Sequence, residues 1–130
     1  MCFLCSCTPL TQSSQNSGSN PKAMRFIDFT YEREIRTVVV RPGFEDPSTY
    51  LEPAVTSLGE WNLLLEFDDL RNQRDSYYAR IIHCNYDWTR STLMDLDFLT
   101  DFNEFPINNF EFSVDTHIPY VHYWLQLPPV

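Results

Sequence analysis

The sequence predicts an all-β fold of two packed antiparallel sheets, and three observations carry that prediction. Apolar and polar residues alternate with period two in several short segments, as they do along half-buried strands. Between those segments lie short polar stretches rich in turn-forming residues. The 130-residue chain also holds 10 Phe, 7 Tyr and 3 Trp, enough bulky side chains to fill the space between two sheets without disulfides. Its length is that of one domain, which sets aside a multidomain enzyme.

Composition changes sharply near residue 24. From Thr8 to Ala23 the chain is Ser, Thr, Asn, Gln, Gly and Pro with almost no apolar side chains, a composition that cannot repay the entropy of ordering. Ahead of it, Leu4-Cys5-Ser6-Cys7 resembles a bacterial lipoprotein cleavage box, with small Ser6 before the cut and Cys7 as the residue to be lipidated. Residues 1–23 therefore read as a leader and flexible tether without fixed structure, and 24–130 as the sandwich domain.

Six strands follow in order. Glu34–Arg41 is rich in β-branched Val. Tyr50–Val55 is a weaker candidate, confined to an edge by Pro53. In Trp61–Asp68 the set Trp61, Leu63, Leu65 and Phe67 shares one face. Tyr77–Cys84 is the fourth strand, and in Phe110–Asp115 the residues Phe110, Phe112 and Val114 point inward. Val121–Leu127 repeats the pattern with Val121, Tyr123, Leu125 and Leu127. The connection from Asn85 to Asn108 is long for a sandwich, and such loops are usually functional or carry structure of their own. Thr92 followed by Asp95 suggests a capping box, which places one helical turn at Thr92–Leu96.

Charge narrows the partners. Nine basic against eighteen acidic residues give a net charge of −9, and Lys22 is the only lysine. Beyond Arg90 there is no Lys or Arg, whereas Asp95, Asp97, Asp101, Glu104, Glu111 and Asp115 all lie there. One side of the domain is expected to be acidic, and no nucleic acid partner is expected because nothing would neutralise its phosphates. No apolar run reaches the roughly eighteen residues that a membrane-spanning helix needs.

Residue types that could carry chemistry each have a plainer explanation. His83 and Cys84 suggest a base and a nucleophile, but neighbours on a strand point to opposite faces, so a buried structural thiol is expected. No Gly-x-Ser-x-Gly elbow is present. Asp95, Asp97, Asp101, Asn103 and Glu104 are rich in oxygen, yet an EF-hand spacing would place Leu99 and Thr100 at a ligand position and at the turn glycine. Cys2, Cys5 and Cys7 lack the second half of a zinc motif. No metal, cofactor or catalytic residue is expected.

A resemblance goes further than residue chemistry. Ile82-His83-Cys84-Asn85-Tyr86-Asp87-Trp88, preceded by Phe67-Asp68-Asp69-Leu70 and Tyr77-Tyr78, resembles the N-terminal domain of the type IX secretion system plug proteins of Bacteroidota. Ile35-Arg36-Thr37-Val38 is similar to that family's first strand. Phe98-Leu99 with Phe102 and Glu104 is similar to its long-loop signature, and Pro119-Tyr120-Val121-His122-Tyr123 to its Pro-Tyr-Thr-His-Tyr. The likeness runs from Phe26 to Leu127.

The resemblance implies an immunoglobulin- or fibronectin-like sandwich without catalysis, which acts as a plug or accessory module of the secretion translocon on the periplasmic side of the outer membrane. Its implied partner is the outer-membrane secretion barrel, with membrane contact only through a lipid on Cys7. The residues carried over are His83, Cys84, Asp87, Trp88, Phe102, Glu104, Tyr120, His122 and Tyr123, as framework or interface. Trp88 is expected to cover the core, Asp68 and Asp69 to shape the turn into the 70–76 loop, and Tyr120 or Tyr123 to make the corner hydrogen bond of such sandwiches. The alternative is a lipid-anchored, glycan-binding sandwich with Tyr77, Tyr78 or Trp124 as stacking platform. Finally, Val121–Leu127 is expected to be the penultimate strand of a sandwich lacking its last one, with an open edge that invites self-association.

Overall fold

The computed structural model describes residues 2–9, 28–43, 46–61 and 63–130, and for 2–9 it describes the backbone. The strands are β1 (Cys2–Pro9), β2 (Ile35–Pro42), β3 (Leu63–Asp69), β4 (Tyr77–Cys84), β5 (Phe105–Pro106), β6 (Asn109–Phe112) and β7 (Val121–Gln126). Two short turns of helix interrupt them, a 3-10 turn at Pro47–Leu51 and α1 at Asp95–Phe98. The strands form two antiparallel sheets, β1-β4-β5 and β2-β3-β7-β6. The fold is the all-β sandwich that the alternation predicts.

Taken in chain order, β2, β3, β6 and β7 occupy the A, B, D and E places of an immunoglobulin sheet, whose spatial order is A-B-E-D. β4 is then strand C, in the opposite sheet. β7 therefore lies between β3 and β6, hydrogen-bonded on both sides, and the open edge expected of Val121–Leu127 does not exist. The expectation failed because β7 follows β6 through a local hairpin and then returns beside β3, whose sequence-distant pairing leaves no local signal.

The core fills the space between the sheets. Ile35, Leu65, Phe67, Tyr77, Ala79, Ile107, Val121, Tyr123 and Leu127 form one buried cluster. Tyr123 lies at its centre, stacked on Phe67 at 5.2 Å between ring centroids and edge-on to Tyr77 at 4.9 Å. Its hydroxyl accepts the backbone N–H of Asp75 at 3.0 Å and fixes the 70–76 loop; this is not the expected corner bond, which joins the start of strand F to backbone a few residues upstream, because Tyr123 lies on the E-place strand. Tyr77, 2% exposed, is core and cannot serve as a stacking platform for a glycan.

A charged group also lies in this core. Asp69 has the same strand parity as Leu65 and Phe67, and its side chain is fully buried. It accepts from Arg71 Nε at 3.0 Å, from the Arg71 backbone N–H at 3.0 Å and from the Tyr77 hydroxyl at 2.5 Å. Arg71 also contacts the Tyr77 hydroxyl and pairs with Asp75 at 3.3 Å. Burial alone would raise the Asp69 pKa, but the bonds from Arg71 and Tyr77 outweigh it and hold the carboxyl below its usual range. Burial, and then the bond to Asp69, pushes the Tyr77 hydroxyl well up. Asp69 thus shapes the turn as expected. Asp68 does not, because its parity puts it on the outer face of the sheet.

Four further expectations are corrected. The strand expected at Phe110–Asp115 is β6 and ends at Phe112, and Phe112 and Val114, expected to point inward, are exposed. Tyr50–Val55 is not a strand: the Asp46 side chain accepts the Ser48 N–H at 2.8 Å and Pro47 opens the 3-10 turn, as a capping residue followed by Pro should. The helical turn begins at Asp95, with the Asp97 carboxylate accepting the Met94 N–H at 2.7 Å; Thr92 is not its cap. Cys2–Pro9, expected to lack fixed structure, pairs along its whole length with β4, from Cys2 opposite Cys84 to Pro9 opposite Tyr77. The remaining tether residues, 10–23, lie outside the described residues. In β2, Thr37 takes a left-handed φ of 54° and the register with β3 slips between Arg36 and Val39, a β-bulge.

Candidate functional site

The site with most of the motif residues is the loop after β4, built outward from two backbone groups of that strand. The Asn103 side chain accepts the Ile81 N–H at 2.8 Å and donates to the Ile81 carbonyl at 2.7 Å. A carboxamide thereby prolongs the short β5 ladder, doing for Ile81 what a strand backbone would do. Asn103 is buried by this arrangement, and its oxygen faces Ile81 rather than the acidic run to which its position in the sequence would assign it.

The near half of the loop is a hydrogen-bonded turn. Asn85 N–H donates to the Thr89 carbonyl at 2.8 Å, and Trp88 N–H to the Asn85 carbonyl at 3.0 Å. Asp87 accepts the Thr89 hydroxyl at 2.6 Å and the Thr89 N–H at 3.2 Å, and these bonds, the hydroxyl's first, lower its pKa. Trp88 is left-handed, φ 63°, a conformation that costs a non-glycine residue about 1–2 kcal/mol. The residue is 46% exposed, so Trp88 does not cover the core. The turn demands the left-handed residue at that point, and the side chain is carried outward with it.

His83 and Cys84 diverge, as strand parity requires. His83 Nδ1 lies 2.7 Å from the Ser91 hydroxyl, its carbonyl accepts the Ser91 N–H at 3.1 Å, and its ring packs beside Phe98 at 5.7 Å. Cys84 is 1% exposed. In the folded chain Cys84 should react slowly with a maleimide, and in urea at the rate of an ordinary thiol, as peptide mapping of the labelled chain would read. Rapid labelling at neutral pH would revive a nucleophilic role.

The rest of the loop turns apolar side chains to solvent. Tyr86, Met94, Leu96 and Phe102 are between 74% and 92% exposed, interspersed with exposed Asp87, Asp95, Asp97 and Asp101. Glu104 stands 4.0 Å from Arg80, a largely exposed pair worth little. Leu96, Phe98 and Leu99 of the loop meet Leu58 and Val130 in a shallow open depression.

Not all motif residues belong to this loop. Tyr120 bonds through its backbone, its N–H to the Ser113 hydroxyl and its carbonyl to the Ser113 N–H, both at 2.9 Å, which closes the β6–β7 hairpin. His122 faces outward on β7, its Nδ1 2.7 Å from Asp68 and its Nε2 3.5 Å from Glu66, with Trp124 stacked alongside. Glu66 also takes a 2.7 Å bond from Arg41 Nε. Arg41 is buried and further bonded to Thr49 Oγ1 and the Asp46 carbonyl. The structure thus brings His83 and Cys84, at the end of β4, together with Asp87, Trp88, Phe102 and Glu104 of the loop after it, and leaves Tyr120, His122 and Tyr123 to the hairpin, the outer face and the core.

Arg71, Arg41 and Glu66 escaped the sequence reading, which also saw Asp69 only as a turn residue, not as a buried charge, and Asn103 only as part of the oxygen-rich run, not as a partner of β4. The clue for Asp69 was present: it follows Leu65 and Phe67 on the inward parity, with an arginine two residues on.

A family model described as "Type 9 secretion system plug protein 1st domain" matches residues 35–130. The chain belongs to this family. The match bears out the resemblance and gives the domain a role related to type IX secretion, in the cell envelope; the family is named for a plug, not for a reaction. A search of curated proteins finds no match. Among solved structures the plug domain is similar to a hypothetical protein from Parabacteroides merdae ATCC 43184, at 28% identity and a TM-score of 0.66 over 75% of this chain. The chain spans 24% of that protein's length.

Proposed function

We propose that this plug domain is a non-catalytic plug or accessory module of the type IX translocon, on the periplasmic side of the outer membrane, and that it meets the secretion barrel through the loop after β4. The observation that carries this reading is the contrast within the loop. Its backbone is held by Asn103, Asp87 and Ser91, while Tyr86, Met94, Leu96 and Phe102 face solvent. A loop whose backbone is held by hydrogen bonds, those of Asn103 buried, while it displays apolar side chains suits a protein contact.

Photocrosslinking tests it. With p-benzoylphenylalanine at position 102 in cells, the barrel should be the crosslinked partner. The double substitution Leu96→Asp, Phe102→Asp should cut co-purification with the barrel by about tenfold or more, the worth of one or two lost apolar anchors. Both sites are exposed, so the unfolding midpoint should stay close to the parent's. Crosslinks that avoid the barrel, or unchanged recovery by the double variant, would refute the reading.

Lipidation at Cys7 belongs to the same reading. Cleavage behind Ser6 would remove Cys2–Ser6 from β1, so anchor and full strand are alternative fates of this segment. The intact mass of the membrane-bound protein distinguishes them.

A further inference from the structure

In an immunoglobulin sandwich the sheet opposite A-B-E-D runs C-F-G, so the neighbour of strand C is a strand that follows E in the chain. Here C is β4 and E is β7, yet the strand beside β4 in that place is β1, the first of the chain. β1 also lies outside the matched domain, which begins at residue 35. We propose that this edge of β4 is a strand-acceptor site, that Cys2–Pro9 is its built-in but exchangeable occupant, and that its ligand is an extended protein segment of about eight residues added antiparallel to β4.

The hydrogen bonds of β4 show which groups the site offers. The Tyr77 carbonyl bonds the Ile107 N–H, both backbone groups of Ile81 bond Asn103, and the His83 carbonyl bonds the Ser91 N–H. Odd-numbered residues therefore face β5 and the loop. Alternation along an antiparallel ladder turns Tyr78, Arg80, Ile82 and Cys84 toward β1, where the register sets Thr8, Ser6, Leu4 and Cys2 against them. Pro9, which has no N–H to give, falls opposite Tyr77, at a position where none is needed. The segment thus satisfies the backbone demands of this edge along its full length.

Exchange is physically open to it. Residues 10–34 separate β1 from β2, and a chain of that length can reach about 80 Å when extended, several times the width of a small domain. Nothing in the covalent path forces β1 onto its own β4. Tethering instead holds it there by an effective concentration on the order of millimolar, which a better-pairing strand can overcome.

The test compares two proline substitutions in the full chain, under reductant. Ser6→Pro removes a ladder donor opposite Arg80, whereas Cys5→Pro alters a position whose N–H faces away from β4. With Ser6→Pro, amide exchange at Tyr78, Arg80 and Ile82 should rise by about tenfold or more. A fluorescein-labelled peptide of residues 1–10 should then bind this variant at least about tenfold tighter than it binds the parent. Cys5→Pro should behave as the parent does in both measurements, and amides of β3 and β7 should stay protected in every variant. Equal effects of the two prolines, no peptide binding to Ser6→Pro, or equal binding of a scrambled peptide would overturn the proposal. So would loss of protection in β3 and β7 with Ser6→Pro, because β1 would then be an integral strand rather than an exchangeable one.

Discussion

Asp69→Ala should cost the domain about 3 kcal/mol. The carboxylate is fully buried and accepts bonds from Arg71 and Tyr77. Removing it leaves a cation and a hydroxyl facing each other without their acceptor. The estimate takes the low end of the range for a broken buried pair because the Arg71 side chain keeps 25% exposure, so water recovers part of its solvation. Against a total stability of about 5–15 kcal/mol that is still a large fraction, and urea titration would show it as a lower midpoint. The same group governs acid sensitivity. Its folded pKa lies below the unfolded value of about 3.9, so between the two the unfolded chain binds more protons. Stability is therefore present above about pH 4 and drains away as pH falls through the folded pKa. In Asp69→Asn that part of the slope should vanish. An acid titration of the variant parallel to the parent's would show that other carboxylates control it.

Asn103→Leu should cost about 2–6 kcal/mol, since it strands the N–H and C=O of Ile81 together, each at roughly 1–3 kcal/mol when buried and unpaired. Leucine has a similar volume, so packing is not the variable. The expected signature is local: amide exchange rising at Ile81 and along 99–104, with β3 and β7 still protected. Because Phe102 is carried by the residue next to this bond, the proposed barrel contact predicts that recovery of the barrel falls as well, though none of the proposed contact residues has changed. Unaltered exchange at Ile81 would mean that the carboxamide is replaceable.

What could be read from the sequence was local. β4 was placed residue for residue on its aromatic and β-branched content, Tyr77, Tyr78, Ile81 and Ile82. Tyr123 was singled out through the motif that closes the chain, and its hydroxyl does pin a crossing loop, though a sequence-distant one rather than a strand-F corner. The 3-10 turn was legible too, in Asp46-Pro47, but Tyr50 and Val55 suggested a strand through propensity, which is a weak guide at an exposed position. What could not be read is what distant residues decide. Nothing local in Cys2–Pro9 points to Tyr77–Cys84, and the place of β7 depends on pairing with β3, more than fifty residues earlier. Trp88 was misjudged for a related reason: aromatic bulk argues for burial, while the backbone of its turn argues for exposure, and the backbone won.

The bulge in β2 bears on solubility. β2 forms the outer border of its sheet, and a straight, uninterrupted border is what lets β proteins stack into fibrils. Thr37 and Val38 fall in the register slip, and Thr37 reverses the sign of φ, so the chain cannot present an even row of donors and acceptors to a second molecule. Val38, 42% exposed, is thereby kept from nucleating growth. At the opposite border the ladder of β6 runs for only four residues. Both borders of this sheet are thereby interrupted, so neighbouring copies can crowd together without freezing into an aggregate.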